Sequence, residues 1–146
     1  MDIHFNTQLK TLEANNFIFS KKSLARKPHL LLFYHTQCLG CTGRAIPLAY
    51  QFQQDYPELQ VLLIHTNLGS SKPSTAEILS VFVEGKSPLP IYIDEKAELY
   101  HQFKCEGTPH WILLNEAAEV QNSIFGSQAN AQNRLMYSLD QLSNVD

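Results

Sequence analysis

The sequence lacks the features of several broad classes of protein. Its 146 residues carry a formal net charge of −3, and lysine and arginine form no run longer than Lys21-Lys22. Because nucleic acid and anionic membranes bind to clustered positive charge, this pattern argues against both as partners. No apolar stretch approaches the ~20 residues that a transmembrane helix needs, so a membrane-spanning protein is not expected either.

Signals for secretion and for a disulfide scaffold are also missing. The first residues contain neither a basic nor an apolar segment, so no secretory signal peptide is expected. Three cysteines are too few to form a disulfide scaffold that would stabilise a chain of this length. Because free thiols without a signal peptide fit a reducing compartment, the sequence predicts a cytoplasmic location. With 44% hydrophobic residues and no repeat or linker, a single domain over residues 1–146 is expected.

Short apolar runs alternate with segments of helical periodicity along the chain. The runs predicted to be strands lie at residues 17–19, 30–34, 61–65, 91–93, 111–114 and 120–125. Strands that alternate with helices are typical of parallel pairing with right-handed crossovers. The last two runs are joined by a tight turn and must be antiparallel to each other. The sequence therefore predicts an α/β domain with a central mixed sheet and helices on both faces.

Cys38 and Cys41 follow the apolar run at residues 30–34 in a Cys-x-x-Cys spacing. Apolar residues recur at helical spacing over residues 45–52, so a helix is expected to begin at or near the cysteines. A helix N-terminus favours the nucleophilic thiolate, and the second cysteine can then release a mixed disulfide. A zinc site would need two further ligands at tight spacing, and the sequence offers no such pair. A redox-active disulfide between Cys38 and Cys41, without metal or other cofactor, is predicted.

Two motifs in this order resemble thioredoxin. The first, Phe-Tyr-x-x-x-Cys-x-x-Cys, ends at Cys41, and the second, Gly-Thr-Pro, ends at Pro109 and opens a late strand. The additional helix and strand at residues 74–93 and the N-terminal run at residues 17–19 resemble the TlpA/ResA branch of thiol-disulfide oxidoreductases, which is related to peroxiredoxins. The resemblance covers residues 12–142. It implies a thioredoxin-like fold with an N-terminal extension and an inserted helix and strand, and a role in redox homeostasis.

The resemblance also implies roles for individual residues. By position, Cys38 would be the attacking thiol and Cys41 the resolving thiol. Pro109 would be a cis-proline that faces the pair, and the backbone of Thr108 would pair with an extended substrate segment. The implied partners are a protein or small-molecule disulfide substrate and a thiol redox partner. The direction of exchange and the oligomeric state stay open.

The chain departs from these families where they keep an acidic side chain near the cysteines. Leu32 stands where thioredoxins carry a buried carboxylate, and Arg44 where ResA-like proteins place a glutamate. Without a base, the resolving thiol is expected to react slowly at neutral pH and faster toward ~8.5, the pKa of a free thiol. The candidates for tuning the thiols are His110, Tyr34 and Cys105; His110 is equally a plain strand residue, and Cys105 a small buried hydrophobic residue.

Two other functions remain open at this point. One is a metal-binding module like a copper carrier, in which Cys38, Cys41 and His110 would hold a soft ion such as Cu(I). The other is a peroxiredoxin-like thiol peroxidase, because residues 39–42 faintly resemble the peroxiredoxin loop. The proline and threonine that this loop needs are replaced by Tyr34 and Cys38, which counts against a peroxidase.

Overall fold

The structure, a computed structural model, describes residues 3–24, 26–69 and 72–143. Within these ranges, seven strands form one sheet: β1 Asn6–Thr11, β2 Asn16–Ser20, β3 His29–Tyr34, β4 Gln60–Thr66, β5 Ile91–Asp94, β6 His110–Leu114 and β7 Val120–Phe125. The same ranges contain five α-helices: α1 Lys21–Leu24, α2 Ile46–Asp55, α3 Thr75–Leu79, α4 Glu98–Gln102 and α5 Ala129–Ser143. A π-helical turn, Cys41–Ala45, leads into α2.

The strand order in the sheet is β2-β1-β5-β4-β3-β6-β7. The three central strands β3, β4 and β5 run parallel, and the remaining neighbours pair antiparallel. Parallel strands need crossover connections, which are supplied by α2 between β3 and β4 and by the α3 region between β4 and β5. The predicted α/β architecture with a mixed sheet is confirmed, and each of the six predicted strands lies within an observed strand.

β3 lies between β4 and β6 in the sheet and is buried along its whole length. Both of its faces are covered by other parts of the protein. Successive side chains of a strand point to opposite faces, so β3 contributes to two hydrophobic clusters. The cysteine-side cluster, on the face of α2 and α5, contains Leu32, Tyr34 and Cys41. The opposite cluster, on the face of α4, contains Phe33, and Cys105 packs against it. Burial on both faces explains why β3 is a continuous apolar run in the sequence.

β1 has no counterpart among the predicted strands, although it joins β2 to the rest of the sheet. Its fully buried side chains are Thr7 and Leu9, which are 3% and 1% exposed. Thr7 fits the interior because its hydroxyl donates a 2.6 Å hydrogen bond to Oε1 of Gln102 on α4. A strand whose buried positions are partly polar gives only a weak alternating pattern in the sequence.

Candidate active site

The two cysteines lie where the loop after β3 enters the helix. The N–H of Cys38 donates to the carbonyl of His35 at 3.0 Å. The Cys38 carbonyl in turn accepts from the N–H groups of Cys41 and Thr42, both at 3.1 Å. Cys38 therefore stands at the start of the first helical turn, and the prediction that the helix begins at or near the cysteines is confirmed.

A disulfide joins Cys38 to Cys41, with the two Cα atoms 5.2 Å apart. The two sulfurs have different environments, because Cys38 is partly exposed and Cys41 is fully buried. The N–H of Cys41 donates to Sγ of Cys38 at 3.2 Å. Once the disulfide is reduced, this donor stabilises negative charge on Cys38, and the free N–H groups at the helix start act in the same sense. The geometry thus leaves Cys38 the more accessible and Cys41 the more sheltered of the two cysteines.

The loop before β6 closes over Cys38 from the other side. Sγ of Cys38 lies 3.5 Å from the carbonyl oxygen of Thr108, and the next residue of the loop, Pro109, is buried. The peptide bond between Thr108 and Pro109 is cis, the geometry that the resemblance implies. The structure therefore brings four of the residues singled out from the sequence to one place: the two cysteines, Thr108 and Pro109.

The segment between β7 and α5 is the third part of the chain that contacts the site, after the loop of the cysteines and the loop before β6. The hydroxyl of Ser127 donates to the carbonyl of Gly40, inside the Cys-x-x-Cys loop, at 3.4 Å. The N–H of Gly126 donates to the Pro109 carbonyl at 2.9 Å, and the Gly126 carbonyl accepts from Nε1 of Trp111 at 2.8 Å. A Gly-Ser pair before a helix gives no functional signal in a sequence, so Ser127 was not among the predicted site residues.

Two large apolar side chains are exposed on the loop of the cysteines and at the end of β7. Leu39, between the two cysteines, is 87% exposed, and Phe125, at the end of β7, is 50% exposed. The ring of Phe125 covers Gly107, which has a φ of +145°, and a Cβ added to Gly107 would lie 2.8 Å from Cε1 of that ring. Gly107 is therefore required both by its backbone conformation and by the close approach of the ring.

His110 does not reach the disulfide. Its Nδ1 accepts from the N–H of Glu106 at 3.3 Å, so Nε2 of the neutral ring carries the proton and donates to the hydroxyl of Ser123 at 2.8 Å. Burial lowers the pKa of His110, against the influence of Glu106. The next residue, Trp111, belongs to the cysteine-side cluster, so His110 faces the other side of the sheet. The structure thus gives both ring nitrogens of His110 partners other than the thiols.

Cys105 and Tyr34 occupy different faces of the sheet. Cys105 is a free thiol packed against the opposite cluster, and burial, followed by the charges of Asp94 and Glu106, raises its pKa. Tyr34 is on the same face as Cys41 and is fully buried, and among the described residues its hydroxyl has no hydrogen-bond partner. Burial also raises the pKa of Tyr34. Tyr34 is therefore the tuning candidate that lies on the same side of the sheet as Cys41.

His65 holds the turn that precedes Cys38. Nε2 of His65 accepts from the N–H of Thr36 at 3.3 Å, and Nδ1 of the neutral ring donates to Oδ1 of Asn67 at 3.0 Å. Burial lowers the pKa of His65 to about 4, and the nearby ring of His35 acts in the same direction. A second ring proton would displace the Thr36 donor, so this network requires a neutral imidazole.

The described residues contain neither a candidate metal site nor a candidate membrane span. Among residues 3–24, 26–69 and 72–143, no three His, Cys, Asp or Glu side chains are grouped so that they could hold a metal ion. In the same part of the chain, no helix combines the length and the apolar character that crossing a membrane requires.

Comparison with known proteins identifies the fold. No family model and no curated protein matches the sequence. A thiol-disulfide isomerase from Corynebacterium glutamicum matches with a TM-score of 0.72 at 21% identity, over 100% of this chain and 95% of that chain. StoA from Bacillus subtilis matches with a TM-score of 0.68 at 19% identity, over 94% of this chain and 98% of that chain.

A third solved structure corrects the predicted location. It is a secreted disulfide oxidoreductase of Mycobacterium tuberculosis, homologous to DsbE of E. coli, with a TM-score of 0.69 at 16% identity over 93% of this chain and 96% of that chain. The prediction of a cytoplasmic location is contradicted by this finding, because the fold occurs in a protein described as secreted. The architecture and these matches together establish that the chain has the thioredoxin-like fold.

Proposed function

We propose that the protein is a thiol-disulfide oxidoreductase that exchanges disulfides through Cys38 and Cys41. The observation that carries this proposal is the asymmetry of the disulfide at the start of the helix. Cys38 is partly exposed and its sulfur lies 3.2 Å from a donating N–H, whereas Cys41 is fully buried. The thioredoxin-like fold supports the proposal, and the chain acts as one domain over residues 1–146 with the disulfide as its redox group.

The exchange reaction follows from this asymmetry. In reduction of a substrate, the Cys38 thiolate attacks one sulfur of the substrate disulfide, forms a mixed disulfide and releases the other sulfur as a thiolate. The Cys41 thiolate then attacks Sγ of Cys38, which releases the second substrate thiol and forms the disulfide of the protein. Two electrons pass to the substrate, and the protein is left oxidised. Oxidation of a substrate dithiol is the same sequence in reverse.

A protein disulfide is the substrate that suits the surroundings of Cys38. The carbonyl oxygen of Thr108 lies 3.5 Å from the sulfur, so an extended substrate segment can lie along the loop that contains Thr108 and Pro109. The exposed side chain of Leu39, between the two cysteines, offers an apolar contact to a polypeptide. A separate thiol redox partner regenerates the active form of the pair.

The two alternative functions have less support. In a copper-carrier-like module, His110 would have to join the two cysteines, but both of its ring nitrogens are bonded to Glu106 and Ser123. In a peroxiredoxin-like peroxidase, Cys41 would be the peroxide-reacting thiol, but Cys41 is fully buried beneath the helix start. The partners of His110 therefore disfavour metal binding, and the burial of Cys41 disfavours reaction with peroxide.

Brief alkylation of the reduced protein tests which thiol is the nucleophile. With iodoacetamide near neutral pH, Cys38 is expected to be modified first, because its sulfur is accessible and has an N–H donor. Cys41 is shielded by burial, and burial raises the pKa of Cys105, so both are expected to react later. Mass spectrometry of the labelled peptides measures the order, and the unfolded protein serves as the control. Preferential labelling of Cys41 would contradict the assigned roles.

A further inference from the structure

We propose that Ser127 is a positioning residue that holds the backbone N–H of Cys41 against the sulfur of Cys38 and so stabilises the nucleophilic thiolate. The inference deepens the proposed function, on which it rests, because it assigns a residue outside the sequence motifs that controls the reactivity of the first cysteine. It starts from a hydrogen bond between two distant parts of the chain. The hydroxyl of Ser127 donates to the carbonyl of Gly40, between the two cysteines, at 3.4 Å.

The acceptor of this bond belongs to the same peptide group as the donor to the Cys38 sulfur. The carbonyl of Gly40 and the N–H of Cys41 are the two polar ends of one peptide group, which is planar and rigid. The N–H of Cys41 donates to Sγ of Cys38 at 3.2 Å. A restraint that Ser127 places on the carbonyl is therefore transmitted to the N–H through covalent geometry.

The N–H of Cys41 has a second acceptor, so the orientation of its peptide group matters. It also donates to the carbonyl of Cys38 at 3.1 Å, and its hydrogen is thus shared between an oxygen and a sulfur. Rotation of the peptide plane moves the hydrogen toward one acceptor and away from the other. When the disulfide opens, the Cys38 sulfur becomes an anion, which forms a stronger, charge-assisted hydrogen bond. The bond from Ser127 keeps the N–H within reach of this anion, and it polarises the peptide group so that the N–H is a better donor.

A glycine at position 40 gives this restraint its effect. Gly40 has a helical conformation, with φ −66° and ψ −26°. Because glycine lacks a Cβ, its own sterics restrict the following peptide group less than those of any other residue. A Cβ at this position would lie 3.5 Å from Oγ of Ser127 and 3.8 Å from Cδ of Pro109, so both side chains lie next to Gly40. The peptide group after Gly40 therefore depends on its hydrogen bonds for a defined orientation.

The neighbours of Ser127 hold its hydroxyl in place. Ser127 itself is only 6% exposed. The N–H of the preceding residue, Gly126, donates to the Pro109 carbonyl at 2.9 Å, and its carbonyl accepts from Nε1 of Trp111 at 2.8 Å. Gln128, the residue directly before α5, occupies the cap position of that helix, so capping does not require the Ser127 hydroxyl. The segment before α5 thus presents a fixed donor to the loop of the cysteines.

The test is Ser127→Ala, which removes one oxygen atom and no charge, compared with the parent in proteins that all carry Cys105→Ser. The reduced proteins are alkylated with iodoacetamide from about pH 4.5 to about pH 9, and the rate at Cys38 is measured by mass spectrometry. The rate follows the fraction of thiolate, so the midpoint of the profile reports the stability of the anion. Charged side chains near the pair, which include His35 and Arg44, are common to the proteins compared.

In Ser127→Ala, we expect the midpoint of the alkylation profile to move to higher pH by about half a unit. This shift is a change of about threefold in the thiolate equilibrium, at the lower end of what one hydrogen bond contributes, because the bond is long and acts through the peptide group. Ser127→Thr retains the hydroxyl, and we expect it to keep the midpoint of the parent.

Ser87→Ala is the matched control, because the hydroxyl of Ser87 also donates to a backbone carbonyl, that of Leu89, at 2.6 Å. Both residues precede β5, at the edge of the sheet where the parallel strands begin, whereas the cysteines follow the end of β3. We therefore expect Ser87→Ala to leave the midpoint of the alkylation profile unchanged, even where it lowers the melting temperature.

An unchanged midpoint in Ser127→Ala would overturn the inference and leave the proposed function standing, and a fall in melting temperature alone would indicate a purely structural role. The inference would also be overturned by an equal shift in Ser127→Thr or in Ser87→Ala, since loss of the Ser127 hydroxyl would then not be the cause. Parent protein in which Cys38 is alkylated but exchanges with no protein disulfide would overturn the proposed function instead.

Discussion

Replacement of Cys38 with serine is expected to lower the rate of disulfide exchange by at least about 1,000-fold, because it removes the nucleophile of the first step. Replacement of Cys41 with serine has a different expected outcome. Cys38 still attacks the substrate, but the mixed disulfide is not resolved, so a covalent complex of one protein and one substrate accumulates. The rate is measured by reduction of insulin with dithiothreitol as electron source, and the complex by mass spectrometry under non-reducing conditions.

The third cysteine provides the control for these two variants. Cys105 is packed against the opposite cluster, away from the disulfide, so Cys105→Ser is expected to exchange at the rate of the parent. Full activity of Cys38→Ser, or a trapped complex with Cys38→Ser in place of Cys41→Ser, would contradict the assignment of the two thiols. A large loss of activity in Cys105→Ser would show that the site extends to the other face of the sheet.

Mild acid is expected to destabilise the protein through His65. Burial lowers the pKa of His65 from 6.5 to about 4 in the folded protein, so between these values the unfolded chain binds a proton that the folded protein does not. The contribution is zero above about pH 7, and the free energy of unfolding decreases as the pH falls from about 6.5 to about 4. At 1.36 kcal/mol for each pKa unit, the loss amounts to about 3 kcal/mol.

Urea denaturation of the parent and of His65→Gln, between pH 7 and pH 4.5, measures this contribution. Burial also lowers the pKa of His29 and of His110, so part of the acid lability belongs to them. The difference in slope between the two proteins isolates His65, because the other histidines are common to both. His65→Gln is expected to be less stable at pH 7, where it disturbs the bond to Thr36, but to lose less stability on acidification. Identical slopes would show that His65 titrates normally in the folded protein.

The sequence predicts the central strands well, because a strand that is buried on both faces is a continuous apolar run in the sequence. β3, β4 and β6 are continuous apolar runs, and their positions could be predicted without the structure. β1 could not, since one of its two buried side chains is Thr7, whose fit depends on a hydrogen bond to Gln102 from a distant helix. Long-range polar pairing of this kind has no periodic signal in a sequence.

In the candidate site too, the sequence predicts some of the residues, whereas others become apparent only in the structure. The two cysteines and the Thr108-Pro109 pair belong to motifs that a sequence reveals, and the structure brings them together. The position of His110 next to Pro109 suggested a place beside the thiols, but adjacent strand residues face opposite sides, and Trp111 takes the cysteine side. The contact of Ser127 with the Cys-x-x-Cys loop depends on side-chain geometry that no motif contains.

An equilibrium redox titration of Cys38 and Cys41 is the most direct test of the proposed exchange function. The protein is equilibrated in glutathione or dithiothreitol buffers, and the two redox forms are quantified by mass after alkylation, with Cys105→Ser to remove the third thiol. We expect a single two-electron transition with a potential between about −270 and −120 mV, the range of thioredoxin-fold proteins that exchange disulfides. A potential below about −300 mV, typical of structural disulfides, or a pair that stays oxidised in excess dithiothreitol, would contradict a redox-active function.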